Sequence, residues 1–296
     1  MSPLQTLDPA ILRRVTDGMV ALPTLPLVAS RLLEAVARDE AASEEVARII
    51  ALDPSLTART LRLANSEFYG FPRKVGTVDL AVVVLGSATI RDLVLSASVL
   101  ASIDGTDCAL EGLWNHSMAA AVAARFLADR TQYRHAGEAY AAGLLHDIGK
   151  VVLRQTDSRR FQAVLALARE QGEPMEAAER GLFGSSHAQV GAWLAERWGL
   201  PADLVEAIAT HHQPEKARGN RALASLVHLA DSCAERAGHP WPQGVEPHPV
   251  SPAAWETVEP DERRRDSLIA ELVPHVVRET QREQALFAEF RGSQEG

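Results

Sequence analysis

AGEAYAAGLLHDIGKVVLR, residues 136–154, sets a histidine beside an aspartate inside a long apolar run. Its spacing predicts a single helix, with Leu144, Leu145 and Ile148 flanking the His146-Asp147 pair. Adjacent helical residues lie about 100° apart, so the pair can approach one cluster from two directions. A second adjacent pair, His211-His212, lies in THHQP (210–214), and His116, His187 and Asp231 fall in further segments of helical spacing. Taken singly, each has a bland reading: a buried His-Asp hydrogen bond, or histidines near the dipole of an exposed helix end. Seven such residues, in order and on separate helices, form a candidate set of metal ligands. Nitrogen and carboxylate donors without thiolate suit Zn, Mn or Fe, and an aspartate between two ions can bridge them.

Outward from this stretch the periodicity stays helical. LPLVASRLLEAVARD (25–39) places Leu27, Val28, Leu32, Leu33 and Val36 at helix spacing. ASEEVARIIALDPS (42–55) offers Ser43 as an N-cap and stops before Pro54. Pro54 then opens the next helix, capped by Asp53, with Leu56, Leu61 and Leu63 on the buried side. NSEFYGFPRKVG (65–76) reads as a loop, followed by helices over 77–85 and 87–100. Further helices are predicted over 112–129, 158–171, 186–198, 201–211 and 221–237, and one or two over 260–291. The fold class is all-α in two helical lobes. Residues 1–105 make the first lobe, 106–236 the lobe that carries the candidate metal site, and 237–296 a proline-rich loop with a C-terminal helical extension. The five prolines of GHPWPQGVEPHPVSP (238–252) require irregular chain.

Composition narrows the function classes. Hydrophobic residues make up 46% and charged residues 23%, as in a folded soluble chain. A net charge of −9, with Lys74, Lys150 and Lys216 the only lysines, argues against general nucleic-acid binding. Cys108 and Cys233, without a CxxC, read as reduced packing residues, which implies a cytoplasmic setting. LAVVVLG (80–86) is too short to span a bilayer, so no membrane partner is expected. Arg263, Arg264 and Arg265 read as a solvated helix face.

Metal coordination lowers the pKa of water towards neutrality and so makes a nucleophile for phosphorus. In a catalytic reading Asp147 bridges two ions. Lys150, one turn on, either faces the same pocket and neutralises a phosphate oxygen or sits at the surface of a helix end. Gly149 reads as a close-packing position. Glu179, eight residues before His187, is a further candidate for reaching a metal. His135, His228, His239, His248 and His275 receive no role.

The ordered pattern H…HD…H…HH…D resembles the HD superfamily of metal-dependent phosphohydrolases, especially its HD-GYP branch, over about residues 112–236. LPTLP (22–26), IIALDPSLTARTLRLANSEFYG (49–70), VDLAVVVLGSATIRDLVL (78–95) and GSSHAQVGAWLAERWGLPADLVEAIATHHQP (184–214) resemble HDOD domains, the HD-related output domains of bacterial signalling proteins. The HD-GYP likeness implies that His116, His146, Asp147, His187, His211, His212 and Asp231 are metal ligands, with two divalent ions (Fe, Mn or Zn). Many HDOD domains have lost part of this set; this chain keeps all seven positions. It departs in another way: QPEKARGN follows His211-His212, with no Asp-Gly-x-Gly-Tyr-Pro signature. Three functions stand open. The first is a signalling output protein that retains a metal site and binds a signalling partner or nucleotide ligand. The second is a phosphodiesterase acting on a cyclic dinucleotide or other nucleotide phosphate, with Asp147 and Lys150 as catalytic residues. The third is a metal-free helical interaction domain. The C-terminal extension is expected to serve in helical packing or in a homodimer.

Overall fold

The computed structural model describes residues 26–37, 43–66, 69, 74–102, 108–172, 174–242 and 248–291. Among them there is no strand. The first lobe comprises α1 (Leu27–Ala37), α2 (Ser43–Ile50), α3 (Pro54–Ala64), α4 (Val78–Leu85) and α5 (Ser87–Ser102). Pro54 opens α3 as its spacing predicts, and Asp53 Oδ1 accepts from the backbone N–H of Ser55 (2.8 Å) and Leu56 (3.1 Å). Ser43 is the first residue of α2 and not its cap. Val28, Leu32 and Leu33 are buried on α1, whereas Leu27 is 63% exposed: it lies on the far side of the predicted stripe. The expected boundary between residues 105 and 106 lies outside the described residues.

The second lobe is built on α6 (Cys108–Arg130), with α7 (Ala136–Leu145) and α13 (Arg221–Arg236) packed along it. Around these lie α8 (Ile148–Thr156), α9 (Ser158–Gln171), α10 (Met175–Phe183), α11 (His187–Arg197) and α12 (Ala202–Thr210). Cys233 is a free thiol buried on α13. The single helix expected over 136–154 is two. The chain breaks at His146-Asp147, where Asp147 adopts φ −100°, ψ 6°, outside the regular helical region. Apolar periodicity continues through the break, so the pattern alone does not reveal it. Two short helices, α10 and α14 (Pro252–Val258), also lie where no helix is predicted.

The long α15 (Glu262–Arg291) packs on α3 and α5 of the first lobe and on α6 and α13 of the second. A polar network ties this junction. Arg125 on α6 pairs closely with buried Asp92 on α5, whose other oxygen accepts from Arg91 Nε at 2.9 Å. The Arg125 guanidinium stacks 4.3 Å from the centre of the Tyr140 ring, and the Tyr140 hydroxyl donates to Glu283 Oε2 on α15 at 2.8 Å. Removing one member of such a pair leaves a charge without its partner. Asp92→Ala is therefore expected to lower unfolding stability by roughly 3 kcal/mol, read from urea denaturation.

Candidate metal centre

Five separate pieces of chain deliver the seven predicted residues to one point. His116 comes from the middle of α6, the His146-Asp147 pair from the α7–α8 break, and His187 from the first position of α11. His211-His212 follow the last turn of α12, and Asp231 lies on α13. Ser186 fixes the start of α11 by a capping box with Gln189, which sets the direction of His187. All are buried except His212, which is half-buried.

Two groups of donors form around Asp147. In the first, His116 Nε2 lies 3.1 Å from Asp231 Oδ1, 3.3 Å from His146 Nε2 and 3.6 Å from Asp147 Oδ2. In the second, His187 Nε2 lies 3.0 Å from His212 Nε2, 3.4 Å from His211 Nε2 and 3.2 Å from Asp147 Oδ1. Donors that share an ion at about 2.1 Å and subtend 90–120° stand about 3.0–3.6 Å apart, so these spacings are those of a ligand shell. The two oxygens of Asp147 face the two groups. Oδ1 is buried and has no hydrogen-bond partner.

The far side of each ring explains why the near side needs a cation. His116 Nδ1 donates to the carbonyl of His239 (2.8 Å), His146 Nδ1 to that of Gly143 (2.7 Å) and His211 Nδ1 to that of Ile208 (2.8 Å). His187 Nδ1 and its backbone N–H both donate to Glu179 Oε2, each at 2.7 Å. With the proton on Nδ1, a neutral ring presents a lone pair at Nε2. Such locks orient histidine ligands in metal sites. Glu179 Oε2 thus backs His187, a position its sequence separation leaves open, while Glu179 Oε1 is buried without a hydrogen-bond partner.

Burial and charge sort these groups further. Burial pushes His211 and His212 well below the usual histidine range, helped by the neighbouring rings. Burial acts the same way on His146, but the carboxylates of Asp147 and Asp231 override it and raise its pKa to about 10. The two carboxylates thus favour positive charge at His146. Burial opposes ionisation of Asp147, yet His146, Lys150 and His187 hold it ionised, well below the usual carboxylate range. Lys150 is buried, so the surface reading of this residue does not hold. Its ammonium donates to Asp147 Oδ2 at 2.5 Å and lies 5.1 Å from the centre of the Trp241 ring.

Three histidines without a predicted role belong to the same region. His239 supplies the carbonyl behind His116. His228 donates from Nδ1 to the carbonyl of His211 (2.7 Å) and accepts at Nε2 from Ser251 N–H (2.8 Å), which makes it a structural link. His248 stands 3.7 Å from Asp231 Oδ2. It comes from the proline-rich segment, where no periodicity could place it.

Residues 22–214 match the HDOD domain, and the chain belongs to that family. The fold is similar to the crystal structure of an HDOD domain protein of unknown function from Geobacter sulfurreducens, at 28% identity and a TM-score of 0.75, over 94% of this chain and 97% of that one. It is also similar to a protein assigned to signal transduction from Marinobacter aquaeolei, at 25% identity and a TM-score of 0.74, over 94% of this chain and 61% of that one. A protein assigned as a phosphohydrolase from Shewanella amazonensis aligns at 27% identity and a TM-score of 0.62, over 95% and 97% of the two chains. Among curated sequences, an uncharacterised protein of Treponema pallidum is 25% identical over 230 residues, 77% of this chain and 45% of that protein. Ribonuclease Y of Thermus thermophilus is 35% identical over 91 residues, 31% of this chain and 11% of that protein. The chain spans less than half the length of these curated relatives. Among the described residues, no single helix is long and apolar enough to cross a membrane.

If Glu179 serves as the carboxylate behind a metal-bound His187, Glu179→Gln should weaken the affinity for Mn(II) by about 10- to 100-fold. Titration calorimetry on metal-stripped protein reads this directly, and an unchanged isotherm would remove Glu179 from the centre.

Proposed function

We propose that the chain is a signalling output protein of HDOD type in which His116, His146, Asp147, His187, His211, His212 and Asp231 hold a dinuclear metal centre. The observation that carries this reading is the pair of donor groups on opposite oxygens of Asp147, with Nδ1 of His116, His146, His187 and His211 locked outward. Borderline divalent ions, Fe, Mn or Zn, match nitrogen and carboxylate donors. In this reading the second lobe carries the centre, α1 to α5 form a helical lobe available to a signalling partner or nucleotide ligand, and α15 packs on both. The likeness to a protein assigned to signal transduction and the missing signature after His212 both favour an output role over turnover.

One observation favours a second reading, a phosphohydrolase. Lys150 brings a buried cation to within 2.5 Å of the bridging carboxylate, where it keeps Asp147 ionised and stands beside any phosphate that reaches the centre. Bound divalent ions would supply Lewis acidity and an activated water for attack on phosphorus. The chain's part is to hold the donors in place, fix their tautomers and exclude bulk water.

Protein purified without a metal-affinity step should carry about two equivalents of Fe, Mn or Zn per chain, as a bridge between two ions requires. Asp147→Ala should lose at least one of them. A metal-free wild type would overturn the proposal and leave a helical interaction domain. Phosphodiester turnover that vanishes in His146→Ala and Asp147→Ala would establish the second reading over the first.

A further inference from the structure

Residues 248–251 form a strap pinned to α13 at His248 and at Ser251. Ser232 Oγ donates to the carbonyl of His248 (3.0 Å), and Ser251 N–H donates to His228 Nε2 (2.8 Å). The His248 imidazole points at Asp231. Its Nε2 is buried, has no hydrogen-bond partner and lies 3.7 Å from Asp231 Oδ2.

Behind His248 the arrangement of His187 is repeated. The Nδ1 of His187 and its own backbone N–H both donate to one oxygen, Glu179 Oε2, each at 2.7 Å. For His248 the same two groups donate to one oxygen, Glu235 Oε2, at 3.0 Å and 2.9 Å. A carboxylate that takes both donors from one histidine fixes its ring plane and its tautomer together. The Nε2 lone pair of His248 then faces a carboxylate oxygen. Two acceptors in that relation call for a cation between them, and 3.7 Å is close to the separation of two donors sharing an ion at about 2.1 Å. Asp231 has an oxygen for each side: Oδ1 faces His116 at 3.1 Å, while Oδ2 faces His248. The His212 ring centre is 5.9 Å from that of His248, so the position adjoins the second donor group as well.

We propose that His248 is an eighth ligand of the centre, binding through Nε2 a divalent transition-metal ion that it shares with Asp231 Oδ2, with Glu235 as its orienting carboxylate. The inference rests on the metal-centre reading above. The His248 side chain is 23% exposed, against 1% for His187 and 0% for His146, so its ring lies nearest solvent although Nε2 itself is buried, and the ion it shares is the one expected to exchange most readily.

The test is titration of the metal-stripped full chain with Mn(II), followed by calorimetry and by the paramagnetic resonance of free Mn(II). His248→Ala should weaken the most loosely held equivalent at least about tenfold while the tighter uptake persists, and Glu235→Gln should act in the same direction. His248→Gln is a second variant in case alanine disturbs folding. Both retain the backbone carbonyl that Ser232 holds, and circular dichroism checks that they fold. A wild type that binds Mn(II) with an isotherm unchanged in both His248 variants overturns the inference and leaves the centre standing. That result would make His248 an imidazolium held between two carboxylates. A wild type that binds no Mn(II), with Asp147→Ala no different from it, overturns the centre itself.

Discussion

Two glycines, one on each side of His146-Asp147, set how closely the helices approach, and the donor set depends on that approach. A Cβ on Gly143 would meet the carbonyl oxygen of Ala120 at 2.7 Å, so α7 lies against the backbone of α6 one turn beyond His116. A Cβ on Gly149 would meet the carbonyl oxygen of His187 at 2.0 Å, so α8 lies against the first turn of α11. The first contact brings His146 to His116; the second brings Asp147 to His187. Any larger residue at either position must separate backbones, because no flexible side chain is available to yield. The break between α7 and α8 then turns the adjacent pair so that histidine and carboxylate meet at one point and not on two faces.

The helix ends supply the remaining order. Carbonyls in the last turn of a helix have no partner within it. The carbonyls of Gly143 and Ile208 accept instead from the rings of His146 and His211, each three residues on. A histidine placed just after its helix thus satisfies a stranded carbonyl and acquires the tautomer that leaves Nε2 free. This is a local device, and it accounts for both adjacent pairs lying at helix ends instead of in mid-helix.

Much of this was legible in the sequence, and what was not has a physical cause. The all-α class and the cap of α3 by Asp53 follow from periodicity and residue type, whereas the seven residues gathered around Asp147 are singled out by residue type, by order and by the HD-GYP likeness. The break at His146-Asp147 does not, since Leu144, Leu145 and Ile148 are apolar on either side of it. His248 escapes for a different reason: its contacts are made only after the chain has folded, and the segment that carries it has no period to read. Glu179 stands out by its sequence distance to His187, but its hydrogen bonds behind that ring do not. His248 and Asp231 also lie beyond residue 214, where the HDOD match ends.

The burial pattern bears on what such a centre is suited to do. Six of the seven donors are buried, with only His212 and the neighbouring His248 reaching solvent. A phosphodiester would have to enter along that edge, and Trp241, stacked at 6.0 Å on Phe161 and beside Lys150, closes part of the surroundings. Lys150 is itself committed to Asp147 and would have to exchange that bond for one to phosphate. A closed shell with one accessible edge favours slow exchange of an ion over turnover of a large substrate. In the same molecule α15 touches both lobes, and His248 of the strap before α14 stands 3.7 Å from Asp231. In the reading proposed above, a ligand carried on this strap would join the centre to the C-terminal helices, a contact of the kind that an output role calls for.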